Sequence, residues 1–250
     1  MAKDPKSFAG IGFEDFRKLA SDKGLSKYER IGFPDSYRQG HEKAIFRDIE
    51  SKLPRLYGKA CRVMDIGPGC SDLPMMLIKR CRQKGHALDL VDSAEMLEHL
   101  PDAGFIKKTP ALFPHCPALL KRLKGKVDVV LAYSVLHYVI VDAPLFVFWD
   151  ALLSLLAPGG RCLMGDIPNL SQRKRFFASA SGVQFHQRFM RTQQRPKLEY
   201  NRLEPGQIDD SIVIALLLRA RAAGFQAWVL PQDPRLPMAN RREDILVERP

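Results

Sequence analysis

Cysteine is scarce in this 250-residue chain. There are five, Cys61, Cys70, Cys81, Cys116 and Cys162, an odd number with no C-x-x-C pair. That excludes a disulfide-stapled scaffold and leaves reduced, mostly buried thiols as the plain reading. No His/Cys spacing matches a zinc site and no paired acids suggest magnesium, so no metal is expected. There is no G-x-S-x-G elbow, which removes the commonest hydrolase signature. Long apolar runs are missing too. Nothing approaches the roughly 18 apolar residues of a membrane span, and the opening MAKDPKSFAGIGFED has no leader-like stretch. A cytoplasmic protein without a membrane partner is therefore expected.

Acidic residues are also short, with 28 Asp and Glu against 39 Lys and Arg, a formal charge of +11. Such a balance attracts an anion, whether a nucleotide sugar, a phosphate ester or nucleic acid. The excess is concentrated at 168–207, which carries eight basic and two acidic residues. A solvated basic face explains that equally well. With 46% apolar residues the chain can bury one continuous core, so residues 1–250 are read as a single domain.

No internal repeat or low-complexity tract interrupts the pattern, which alternates short apolar runs with amphipathic stretches. Strands are predicted at Arg62–Ile66, Ala87–Val91, Phe105–Lys108, Val127–Tyr133 and Arg161–Ile167. Helices are predicted at Leu73–Lys84, Ala94–Leu100, Pro117–Leu123 and Pro144–Leu156. The expected fold is α/β, a doubly wound, mostly parallel seven-stranded sheet with helices on both faces and a ligand at the carboxyl edge. Residues 1–55 form a helical cap, with Ile45, Phe46, Ile49 and Leu53 at helical spacing within Asp35–Leu53. Residues 56–167 form the cofactor-binding core, 168–207 a basic insertion after the fifth strand, and 208–250 a helix (Asp209–Ala223) and an antiparallel hairpin built from FQAWVL and EDILVE.

The strongest local signal is VMDIGPGCSDLP, Val63 to Pro74, an apolar strand entering a Gly-x-Gly turn and then a helix. Gly67 and Gly69, around Pro68, permit unusual dihedrals and let a ligand lie against the backbone. Twenty-three residues beyond Gly69, LDLVDSAEML puts Asp92 at the end of the next strand, where a carboxylate can accept both hydroxyls of a ribose. A dinucleotide fingerprint would have glycine where Asp72 stands.

These residues resemble the class I S-adenosylmethionine-dependent methyltransferases, and the resemblance runs from Asp35 onward. VDVVLAYSVLHYV looks like that family's fourth strand and following turn, and LLAPGGRCLMGDIP like its helix, Pro-Gly-Gly turn and fifth strand. The resemblance implies S-adenosylmethionine as cofactor and S-adenosylhomocysteine as product. It implies that Asp65, Gly67, Pro68 and Gly69 line the amino-acid end and that Asp92, with Ser93 and Met96 beyond it, holds the nucleoside. Tyr133 and Ser134 at the fourth strand's end are expected to shape the pocket, and Tyr37 and Arg38 are expected, from their position before the core, to close over the cofactor's carboxylate. Two departures stand out. Ser71 replaces the third glycine, and KKTPALFP lacks the acid that commonly meets the adenine amino group.

Methyl transfer from a sulfonium is an in-line displacement, so a catalytic base is optional. His137, just past the fourth strand, is the candidate base, an imidazole able to take a hydroxyl proton near neutral pH. Its structural alternative is packing of the following turn. Tyr138, Asp166, Asn169 and His186 are candidate acceptor contacts, with helix capping the alternative for Asp166. No Asn-Pro-Pro-Tyr turn or nucleophilic cysteine follows the fourth strand, which leaves a small-molecule acceptor, oxygen before nitrogen. GFPDSYR, GDIPN with RKRFF, and NRREDILV further resemble bacterial methyltransferases of surface-glycan and flagellar-sugar synthesis, whose acceptors imply an anionic or nucleotide-sugar-like partner. The rival readings are an RNA methyltransferase and a non-catalytic methyltransferase-like binding subunit. Monomer and homodimer both stay open.

Overall fold

In the computed structural model, which describes residues 11–142, 144–202 and 204–250, the apolar runs become strands β1 (Arg62–Ile66), β2 (Ala87–Asp92), β3 (Ile106–Pro110), β4 (Val127–Tyr133), β5 (Leu156–Pro168), β6 (Gln226–Pro231) and β7 (Arg242–Glu248). They form one sheet in the order β3-β2-β1-β4-β5-β7-β6. The pairs among β1 to β5 are parallel, and β7 runs antiparallel between β5 and β6. The closing hairpin expected from FQAWVL and EDILVE is present, with its second strand inserted beside β5.

Eleven helices are described: α1 (Phe13–Ser21), α2 (Asp35–Arg38), α3 (Glu42–Lys52), α4 (Asp72–Lys84), α5 (Ala94–Glu98), α6 (Pro117–Leu123), α7 (Leu136–Asp142), α8 (Leu145–Leu155), α9 (Leu170–Ala178), α10 (Ala180–Met190) and α11 (Asp210–Ala222). Period-two alternation in the strands sorts the core into two layers. Val63, Leu88, Leu90, Val129 and Leu131 face Ile45, Ile49, Leu77, Ile78 and Leu97 of α3, α4 and α5. Met64, Val91, Val130, Ala132 and Met164 face Leu119, Phe148, Leu152 and Leu216 of α6, α8 and α11. Each buried Leu or Phe in these layers contributes about 1.5–3 kcal/mol.

Several boundaries differ from the sequence reading. The Asp35–Leu53 stretch is split at Gly40, whose φ of +83° lies outside the helical range. The Pro158-Gly159-Gly160 turn lies inside β5, because Leu156 already pairs with Val127 and the register then jumps to Val129 opposite Arg161. Helix α7 was read only as a turn, since its four apolar positions, Leu136, Val139, Ile140 and Val141, do not separate from the strand before it. The first ten residues of the predicted cap lie outside the described residues.

Candidate functional site

The carboxyl ends of β1, β2 and β4 converge on a cleft of about 130 Å³ lined by Gly67, Pro68, Gly69, Asp92, Met96, Tyr133, Ser134 and Tyr138, with Arg38, Ile31, Phe13 and Phe16 from the cap. Gly67 and Gly69 hold φ of +67° and +64°, the left-handed conformation in which side chains are disfavoured. A Cβ on Gly69 would fall 2.6 Å from Ile31 Cγ2, and one on Gly67 would fall 2.8 Å from Val135 Cγ2. The cap is thus pressed onto the turn. Ile31 and Phe16 of the cap roof the cleft.

The turn and Asp92 meet directly. Asp92 Oδ2 accepts from the Gly69 N–H at 3.0 Å and Oδ1 from the Ser93 N–H at 2.7 Å. Burial pushes the Asp92 carboxyl up to about 6 against those two bonds. Asp65 is only 4% exposed and does not line the cleft, because strand alternation turns it toward the α4 layer. Burial, with Asp92 adding to it, raises its carboxyl to about 8. A carboxyl whose folded pKa exceeds its unfolded value of about 4 stabilises the fold fully below that value, and the contribution is lost as pH rises toward 8. Asp65→Asn, which cannot ionise, is expected to flatten the decline in stability between about pH 4 and pH 8. Urea melts at both ends of that window check it, and parallel pH profiles of parent and variant would refute it.

Ser134 and Asp166, at the ends of β4 and β5, both adopt positive φ, +61° and +59°, a cost of about 1–3 kcal/mol each that surrounding bonds must hold. Ser134 Oγ donates to Asp166 Oδ2 at 2.5 Å. Arg38 Nη2 donates to Ser134 Oγ and to Asp166 Oδ2 at 3.2 Å, and Arg242 Nη1 reaches the same oxygen at 2.9 Å. Burial raises the Asp166 carboxyl, but Arg242 and Arg38 more than offset it and hold it below the usual range. Asp166 therefore anchors two arginines and does not cap a helix. The cap of α9 is Asn169, whose Oδ1 accepts from the Gln172 N–H while Nδ2 donates to Asp210 and Glu243.

The structure separates other residues that the sequence reading grouped. Ser93 is buried and caps α5 through the Met96 N–H. Tyr37 does not line the first cleft but a second one, shared with Asn169 and His186. His137 does not line the first cleft, and its Nδ1 is buried with no hydrogen-bond partner among the described residues. Burial, reinforced by Arg242, drops its pKa to about 3. The half-buried imidazole is held in its neutral form there, which disfavours it as a base. Helix α7 causes this displacement, carrying His137 into the packing while Tyr138 faces the cleft, edge-on to Phe16 at 4.5 Å.

One residue had no signal in the sequence. Glu42 opens α3, is 3% exposed, and neither carboxylate oxygen has a hydrogen-bond partner among the described residues. Burial raises its carboxyl above the usual range, opposed by the nearby Arg38 and by Ser71, both of which line the cleft. A buried carboxyl this weakly satisfied, with Arg38 and the Ser71 hydroxyl as its polar neighbours, would gain from a further donor beside the cleft. In sequence it looked like any first-turn acid.

No family model matches the chain, and no curated protein matches it in sequence. Solved structures do. One carbon methyltransferase, CurJ, superimposes with a TM-score of 0.55 at 16% identity over 94% of this chain and 67% of its own. The N-methyltransferase NodS from Bradyrhizobium japonicum WM9, solved with S-adenosylhomocysteine, gives 0.53 at 13% identity over 95% of this chain and 98% of its own. A SAM-dependent methyltransferase from Aquifex aeolicus gives 0.51 at 13% identity over 95% and 98%. No helix among the described residues is long and apolar enough to cross a membrane. The mixed seven-stranded sheet of this chain is thus the Rossmann-like fold of the S-adenosylmethionine-dependent methyltransferases.

Proposed function

We propose that the chain is a class I S-adenosylmethionine-dependent methyltransferase, one domain over residues 1–250, that methylates an oxygen of a small anionic or sugar-type metabolite. The observation that carries this reading is the convergence of the Gly67–Gly69 turn and the Asp92 carboxylate on one cleft, joined by the 3.0 Å bond. The residues present fit the cofactor. The glycine turn puts no side chain of its own between backbone and cleft, Asp92 suits a ribose, and the amino-acid end is a zwitterion for which Arg38 and the buried Glu42 are the complementary pair. Only Nη2 of Arg38 is engaged among the described residues, so its remaining donors are free for a carboxylate. Adenine falls to the apolar wall of Met96, Ala111, Leu112 and Phe113, which explains why no acid is needed near Thr109.

When bound, the cofactor supplies a sulfonium methyl group for an in-line displacement. The chain contributes position and dryness: the cap roof of Phe13, Phe16 and Ile31 excludes water, and Ser134 and Tyr138 shape the acceptor side. With His137 outside the cleft and burial holding the Tyr138 phenol far above its usual range, the carboxylate of Asp92, at about 6, is committed to the ribose in this reading and not to proton transfer. That favours an acceptor that ionises readily, consistent with a carboxylate or acidic hydroxyl of the surface-glycan type of metabolite. Lys174, Arg175, Lys197 and Arg202 of the basic segment pair with acids, which leaves Arg173, Arg188, Arg191 and Arg195 without an ion pair among the described residues.

Calorimetric titration with S-adenosylhomocysteine tests the cofactor, and mass spectrometry of metabolites incubated with methyl-labelled cofactor tests the acceptor. No measurable binding would overturn the reading. Glu42→Gln is expected to weaken cofactor binding by roughly 10- to 100-fold, the worth of a charge-assisted bond, while raising the stability of the free protein by removing a buried unsatisfied charge. Lower affinity with lower stability would mark Glu42 as merely structural.

A further inference from the structure

The second cleft, about 470 Å³, lies between α9, α10 and the start of β7. Its lining carries three arginines, Arg173, Arg241 and Arg242, with Phe177, Phe185 and Phe189, and no carboxylate among the described residues. Arg242 spends its charge on Asp166. Arg241 does not: the only hydrogen bond of its guanidinium among the described residues goes to Asn240 Oδ1 at 3.0 Å, and it lies over the rings of Phe185 and Phe177 at 5.5 and 5.9 Å. Burial, with Arg242 and Arg173 adding to it, lowers its pKa. A guanidinium taken partly out of water and set beside two other cations is unfavourable until an anion neutralises it. Next to it, Phe185 and Phe189 lie nearly parallel, at 8°, and Phe189 is 67% exposed. Flat apolar surface beside unpaired guanidiniums is what a planar anion would cover.

We infer that this cleft is a binding site for a small molecule with a planar apolar body and an anionic group, the anion held by Arg241 and Arg173 and the body against Phe177, Phe185 and Phe189. The site communicates with the first cleft through one ion ladder, since Arg242 and Arg38 share Asp166 Oδ2. That this molecule is the methyl acceptor rests on the proposed methyltransferase activity; the anion site itself does not. The basic insertion at 168–207 then acts through a few placed cations, and its tip residues Phe189 and Met190 close over the ligand.

Binding of 2-naphthoate, 2-naphthyl phosphate and the neutral 2-naphthamide, measured by calorimetry on the full chain, tests this. Both anions are expected to bind more tightly than the amide, and the tighter of the two identifies the group as carboxylate or phosphate. Arg241→Gln should weaken anion binding roughly tenfold or more and leave the amide unchanged. Arg173→Gln, at an exposed position, should weaken it in the same sense without risk to folding. Equal affinity for acid and amide, or anion binding indifferent to both substitutions, overturns the proposal. So does an oligoribonucleotide that binds more tightly than either naphthyl anion and displaces it. A parallel titration with S-adenosylhomocysteine separates the two readings: anion binding that needs Arg241 without cofactor binding upholds this site and sinks the methyltransferase assignment, and the converse pattern does the opposite.

Discussion

Replacing Asp166 by alanine is expected to destabilise the folded chain by about 3–5 kcal/mol, the usual cost of leaving buried charges without their partner. Its carboxylate is the shared acceptor for Arg38, Arg242 and Ser134. The side chains of Asp166 and its two arginines are only 7%, 6% and 12% exposed. Removing it strands two mostly buried guanidiniums. Alanine would also have to hold the positive φ that aspartate tolerates better. By contrast, breaking the exposed Lys27–Asp72 pair should cost less than about 1 kcal/mol. Urea denaturation of both variants gives the comparison. Because the folded pKa of Asp166 is depressed, its contribution is present above about pH 4 and is lost as pH falls through the folded value. The stability gap between parent and Asp166→Ala must therefore narrow in acid. A gap under about 1 kcal/mol at neutral pH would mean that the arginines find water, and that the ladder between the two clefts is not a buried network.

Asp92→Ala should weaken S-adenosylhomocysteine binding by roughly one to two orders of magnitude, from the loss of bonds to a ribose contributing about 1.5–3 kcal/mol. The same carboxylate also fixes the Gly69 N–H, so the variant loosens the turn as well. Asp92→Asn, which keeps one carbonyl acceptor, should fall between the two. The folded pKa of about 6 adds a pH signature: affinity for the nucleoside should drop between pH 7 and pH 5 as the carboxylate is protonated, and the alanine variant should lack that drop. Calorimetry with equal affinities for parent and variant would remove Asp92 from the site.

Short-range features of this chain are legible in its sequence and long-range ones are not. The strand-turn-helix at Val63–Pro74 was legible because it needs only local rules: an apolar run, glycines where φ turns positive, and a helical pattern after them. The parallel order followed from right-handed crossovers, and the closing hairpin from two apolar runs around a turn. The side-chain assignments fared unevenly. Gly67, Gly69, Asp92, Met96, Ser134, Tyr138 and Arg38 come together in the cleft, while Asp65, Ser93, His137 and Tyr37 do not line it.

What the amino-acid order determined alone was therefore the sheet, its edge and the backbone turn at that edge, all set by periodicity and by the steric demands of single residues. Which charges meet was decided only in three dimensions. Arg38 and Asp166, and Arg241 and Phe185, come from distant segments, and the cost of burying each charge depends on neighbours that no local pattern names. His137 shows the same limit in reverse: a residue at the expected edge was turned into the packing by one helical turn, because direction within a helix is set by what its apolar face must cover.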